Sequence, residues 1–229
     1  MNQTQQEQAA SKRTSPFFQD PHLIGIAPRW TVSIGILLTG VIYLFLPSEL
    51  TLGPDWALLG IELVLISPLW IFWATGHTLS YRTTLIISFV ILGFVTVGLV
   101  IAVIFLILDL PHLKNGFTLL RTAALLWVFN LLVFTLWYWD TDGGGPLKRH
   151  EAEHKAVDLQ FPQQQGGNNS GQWAPDFIDY LFVAFTGATA FSPTDTYPLT
   201  HRAKILMMIE ASISLIIVAV LISRVANIF

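Results

Sequence analysis

The 229-residue sequence contains no cysteine. Disulfides, thiolate metal sites and thiol nucleophiles are therefore excluded. Charge is scarce: Asp, Glu, Lys and Arg make up 12% of the chain, against about 25% in soluble domains. The net charge is −3, so the basic excess that a nucleic-acid partner requires is missing. What is abundant is apolar. Hydrophobic residues account for 53% of the sequence, gathered in long runs, and that pattern belongs to membrane proteins.

Residues 1–20 are polar and rich in Gln, Ser and Thr, the composition of a disordered tail. Lys12 and Arg13 precede no apolar run of signal-peptide form, so no cleaved signal is expected. Four spanning helices are expected at residues 30–47, 56–75, 83–110 and 119–139, and a fifth at 205–228. Pro68 should kink the second. Most tryptophans fall near the ends of these runs, where an interfacial aromatic belt places them. A polar linker at residues 140–175 separates the fourth run from the remainder. Gly143-Gly144-Gly145-Pro146 ends the fourth helix, and residues 163–171 are rich in Gln, Gly and Asn.

The stretch from Asp176 onward is the most informative. Pro175-Asp176 with Asp179 three residues on reads as a helix start. That helix can run only from Phe177 to about Ala190, because Ser192-Pro193 stops it. Fourteen residues at about 1.5 Å each give roughly 21 Å, too short to cross a bilayer. A short helix, an irregular segment and then a spanning helix predict a re-entrant loop, which survives at membrane depth only inside protein or beside water.

These residues resemble the pore module of the potassium-channel superfamily. The family filter, Thr-Val-Gly-Tyr-Gly-Asp, aligns without gaps on Ala190, Phe191, Ser192, Pro193, Thr194 and Asp195, with Thr189 before it and Pro198 and Thr200 after it. Glu210 and Ser214 fall on the inner-helix Glu and hinge Gly of many bacterial two-helix channels. The resemblance covers about a quarter of the chain, and its flanks match better than its centre. It implies a homotetramer, with four copies of this loop around a path for monovalent cations. Ser192-Pro193-Thr194 lack the glycines of a carbonyl filter, so any selectivity for potassium should be weak. In an open path Phe191 would form a hydrophobic constriction. The whole-chain pattern is also similar to a bacterial five-span membrane family of unknown function. The expected fold is thus an all-α integral membrane protein with five transmembrane helices plus a re-entrant pore helix and loop before the last. Its parts would be an N-terminal segment (1–29), a three-span domain (30–118) and a pore module (119–229). The competing readings are a non-conducting structural protein on the same fold and a membrane metallopeptidase.

The peptidase reading rests on His150-Glu151-Ala152-Glu153-His154, which matches His-Glu-x-x-His. Lys148, Arg149 and Lys155 surround it, which favours a solvated charged turn, although Asp158 could supply a third ligand. No cofactor and no enzymatic activity are expected.

Glu62 and Glu210 lie deepest in the apolar runs. A charged carboxylate at the bilayer centre costs about 2.5–3.5 kcal/mol on insertion scales, so each acid either serves a cation or proton path or braces a neighbouring helix. Bracing is favoured for both. Asn130, mid-run, suits a helix–helix hydrogen bond. His201, Arg202 and Lys204 open the last helix and should answer to lipid phosphates or to Asp195. With the amino terminus in the cytoplasm of a bacterial inner membrane, nine Lys and Arg residues fall inside and three outside, the bias of the positive-inside rule.

Overall fold

The computed structural model describes residues 27–75, 80–109, 115–151, 155–165, 173–189 and 195–226. They form an all-helical bundle with one small strand pair. The helices are α1 (Ala27–Leu44), α2 (Ala57–Ala74), α3 (Tyr81–Asp109), α4 (Gly116–Thr141), α5 (Pro146–Glu151), α6 (Phe177–Thr189) and α7 (His201–Ala226).

Each boundary has a local cause. Pro47 and Pro54 bracket the turn between α1 and α2, and neither can donate a helical hydrogen bond. In that turn the Leu52 amide donates to the Tyr43 hydroxyl, tying the loop to α1. Asn115 caps α4 by accepting from the Phe117 amide. Beyond α4, Gly143, Gly144 and Gly145 all have positive φ, from 60° to 100°. L side chains adopt that conformation only under strain, so this turn requires glycine.

The central element is α4. Its buried side chains include Leu126, Phe129, Val133, Phe134, Leu136 and Tyr138, and α1, α3, α6 and α7 pack around it. The Arg121 guanidinium donates to the Phe45 carbonyl, while Gly35 lies against Leu136 and Phe177. Helix α1 therefore runs antiparallel to α4. The Tyr81 hydroxyl donates to the Gly144 carbonyl, so α3 begins where α4 ends. One end of the bundle thus gathers the start of α3, the end of α4 and the start of α7. We call it the capped end. There β1 (Leu159–Gln160) pairs antiparallel with β2 (Tyr197–Pro198), with Leu159 opposite Pro198 and Gln160 opposite Tyr197.

Three of the helices are long and apolar enough to cross a membrane by length and composition: α3, α4 and α7. Their presence supports a membrane location. The expectation of five spans is corrected here. Helices α1 and α2 form where the apolar runs lie, but their described apolar stretches, Val32–Leu44 and Ala57–Phe72, are 13 and 16 residues long, below the roughly 17 that a spanning helix needs. The prolines that bound their connection limit them. The expected re-entrant pore loop is not borne out either. Among the described residues, the chain after α6 comes back into view as strand β2, paired to the linker at the capped end. No filter-like backbone appears among the described residues.

Candidate functional site

The linker is held to the capped end by two aspartates. Asp142 Oδ1 accepts from the amides of Asp158 and Leu159, and its Oδ2 accepts from the Tyr180 hydroxyl at 2.6 Å. Asp158 accepts from the Gly143 amide, from the Thr200 hydroxyl at 2.6 Å and from Arg202 at 3.1 and 3.2 Å. Thr200 in turn caps α7 by accepting from the Ala203 amide. Arg149 is buried between the rings of Trp139 and Tyr180, 5.1 Å from each centroid, and donates to the carbonyls of Trp139 and Asp142. Such stacking suits the flat, weakly hydrated guanidinium. Phe161 closes the cap edge-on against Tyr180. The cluster joins α4, α5, the linker, α6 and α7 through charge-assisted hydrogen bonds, the strong kind.

Helix α6 starts beside this cap. Asp176 Oδ1 accepts from the amides of Ile178 and Asp179, and Asp179 Oδ2 accepts from the Asp176 amide at 2.7 Å. Burial pushes the Asp179 carboxyl above the usual aspartate range. The bond from the Asp176 amide opposes that shift, and the Asp176 charge adds to it.

Deeper in the bundle, Glu210 of α7 is fully buried where α4, α6 and α7 meet. Its Oε2 accepts from the Tyr138 hydroxyl, while Oε1 has no partner among the described residues. A Cβ placed on Gly187 of α6 would lie 3.0 Å from Oε2, so only a glycine there lets the carboxyl seat without displacement. Asn130 donates to the Glu210 carbonyl. One turn on, the Ser214 hydroxyl donates to the Ala188 carbonyl at 2.6 Å. That carbonyl is in the last turn of α6, where helices leave acceptors without intrahelical partners.

A second buried acid joins α1 and α2. Glu62 is 1% exposed. The Thr39 hydroxyl oxygen lies 2.9 Å from Glu62 Oε1 and 2.6 Å from the Ile36 carbonyl oxygen. Gly40 leaves room for the carboxyl, because a Cβ there would collide with Oε2.

The residues singled out in the sequence fall as follows. Glu210, Ser214 and Asn130 come together at the junction of α4, α6 and α7. Thr189 ends α6, its hydroxyl turned back to the carbonyls of Phe185 and Thr186. Asp195 is exposed. Ala190, Phe191, Ser192, Pro193 and Thr194 lie outside the described residues, as does His154; His150 and Glu151 belong to α5, with their side chains outside the description. No group of metal ligands forms among the described residues. Arg202 pairs with Asp158 rather than with Asp195. Asp142, Tyr138, Tyr180 and Thr39 had no motif to announce them. The one available signal for Asp142 was its place beside three consecutive glycines, which must turn sharply and leave amides to be satisfied.

No protein-family model matches the chain, and neither a curated protein nor a solved structure does. The likenesses to potassium channels and to a bacterial five-span family therefore lack support, and with three membrane-length helices the channel reading does not hold. The homotetramer and the weakly selective cation path were implied by that resemblance alone and fall with it. The pore-module flanks carry another job in this fold: Pro198 belongs to β2 and Thr200 caps α7.

Proposed function

We propose that the protein is a non-enzymatic membrane resident whose α6–α7 joint is braced by Glu210 and responds to the gain or loss of a proton there. The supporting observation is the setting of Glu210: a fully buried carboxyl with one hydroxyl donor, one oxygen without a partner and a glycine backbone against it. Loss of its proton would leave a charge whose one hydrogen-bond donor among the described residues is the neutral Tyr138 hydroxyl, so the carboxyl and the helix it supports must respond. With Ser214 one turn on, α7 holds α6 at two successive positions.

Orientation follows from charge. By chain position, Arg29, Arg82, Lys148, Arg149, Lys155, Arg202 and Lys204 belong to the capped end, against Lys114, Arg121 and Arg224 at the other. Seven against three supports a cytoplasmic capped end. Helix α1 starts at that end, so the amino terminus is expected there too. A single cysteine at Gln163 should resist a membrane-impermeant maleimide in intact cells and react after lysis. Labelling in intact cells would reverse the orientation.

The brace is tested by hydrogen exchange of the full chain in nanodiscs. Protection of residues 177–189 should fall from mildly acidic to alkaline pH in the wild type and stay level in Glu210→Gln, relative to the α4 core in each case. Identical profiles in the two proteins would refute the reading.

A further inference from the structure

The contacts of Thr39 fix where a second proton must be. A hydroxyl carries one hydrogen, and a carbonyl oxygen can only accept. Thr39 Oγ1 stands within hydrogen-bond distance of two oxygens at once, the Ile36 carbonyl at 2.6 Å and Glu62 Oε1 at 2.9 Å. Its hydrogen can satisfy one of them. If it points to Glu62, the shorter contact becomes two oxygens facing each other with no hydrogen between them. If it points to Ile36, the contact with Glu62 needs its hydrogen from the other side, and Glu62 is the source.

We infer that Glu62 is a proton-binding site: the carboxylic acid donates to Thr39 Oγ1, and Thr39 donates to the Ile36 carbonyl. The chain of donors is complete and every contact in it carries a hydrogen. The surroundings agree. Gly40 admits the carboxyl against the α1 backbone and Leu59 closes one side. Helix α3 packs on α2, while α4 and the start of α6 pack on α1. Among the described residues of these helices the other titratable or cationic groups are Arg29 at the start of α1 and Tyr43, whose hydroxyl accepts from the Leu52 amide; Tyr81, Arg82 and Asp109 at the ends of α3; Arg121, Tyr138 and Asp140 toward the ends of α4; and Asp179 and Tyr180 of α6. None of them places a positive charge beside the carboxyl, and a carboxylate in that position would need one. This site is independent of Glu210, and the two can fail separately.

Infrared spectroscopy of the full-length protein in nanodiscs reads the proton directly. At neutral pH, the wild-type minus Glu62→Gln difference should contain the C=O band of a carboxylic acid, displaced in deuterated buffer. Gln can donate an N–H to the same hydroxyl, so the α1–α2 joint is expected to survive. A difference spectrum holding carboxylate bands and no acid band would overturn the inference. Thr39→Val provides a second arm that keeps the acid and removes its acceptor. The acid band should then shift toward that of an unbonded carboxyl, and an unmoved band would count equally against the assignment.

Discussion

Replacing Asp158 by Asn should loosen the cap while leaving the bundle intact. Asp158 is 3% exposed and accepts from a backbone amide, a hydroxyl and a guanidinium. The guanidinium contributes least. The Arg202 side chain is 67% exposed, and an exposed partner in an ion pair is worth about 0–1 kcal/mol. The Gly143 amide and the Thr200 hydroxyl matter more. Asn offers one acceptor oxygen in place of two, and its amide group turns donors toward donors. At least one buried donor is left unsatisfied, at about 1–3 kcal/mol. The loss is local, because Asp158 touches the turn after α4 and the start of α7 but nothing in the α4 core. Hydrogen exchange in nanodiscs should show protection falling about 5- to 150-fold, the equivalent of 1–3 kcal/mol, at residues 155–165 and 195–203. Peptides from the middle of α4 should be unchanged. Arg202→Ala, the control, should shift the same peptides much less. Unchanged protection at the cap, or an equal loss throughout the bundle, would refute the reasoning.

Gly187→Ala should destabilise the α6–α7 joint by about 1–3 kcal/mol, the usual cost of overpacking, because its Cβ would press on the Glu210 carboxyl. In a double-mutant cycle with Glu210→Ala the cost should shrink, and strict additivity would show that the two residues do not meet. The start of α6 should respond to acid. The folded form raises the Asp179 carboxyl, chiefly by burial, so it binds the proton more tightly than the unfolded chain does. Stability from this group is fully present below the ordinary aspartate value and declines as pH rises through the raised one. Thermal unfolding across that window should show the decline in the wild type and a flatter profile in Asp179→Asn.

The apolar runs were enough to place every long helix, because in a chain with 12% charge a run of that kind has few alternatives to a buried or lipid-facing helix. Proline and the acidic start marked α6 for the same local reason, and the depth of Glu210 in its run pointed to a buried acid. Depth could not say what the acid would meet, however. That Tyr138 comes from α4, Gly187 from α6 and Ser214 from the turn beyond is settled by packing between helices far apart in sequence. The number of membrane-length helices was also misjudged from the runs, since hydropathy does not show that the described apolar stretches of α1 and α2 are only Val32–Leu44 and Ala57–Phe72. The potassium-channel likeness failed for a related reason: Pro198 and Thr200 match a motif by spacing, but strand pairing with Leu159–Gln160 and the Asp158 contact give them a different task. The sequence by itself determined a membrane-embedded, helical chain, because composition and local chain stiffness act over a few residues. Only the tertiary structure decided that Asp142 and Asp158 clamp the cap and that Glu62 and Glu210 each sit against a glycine. Those contacts join residues 15 to 44 positions apart, and no local pattern encodes which of them will meet.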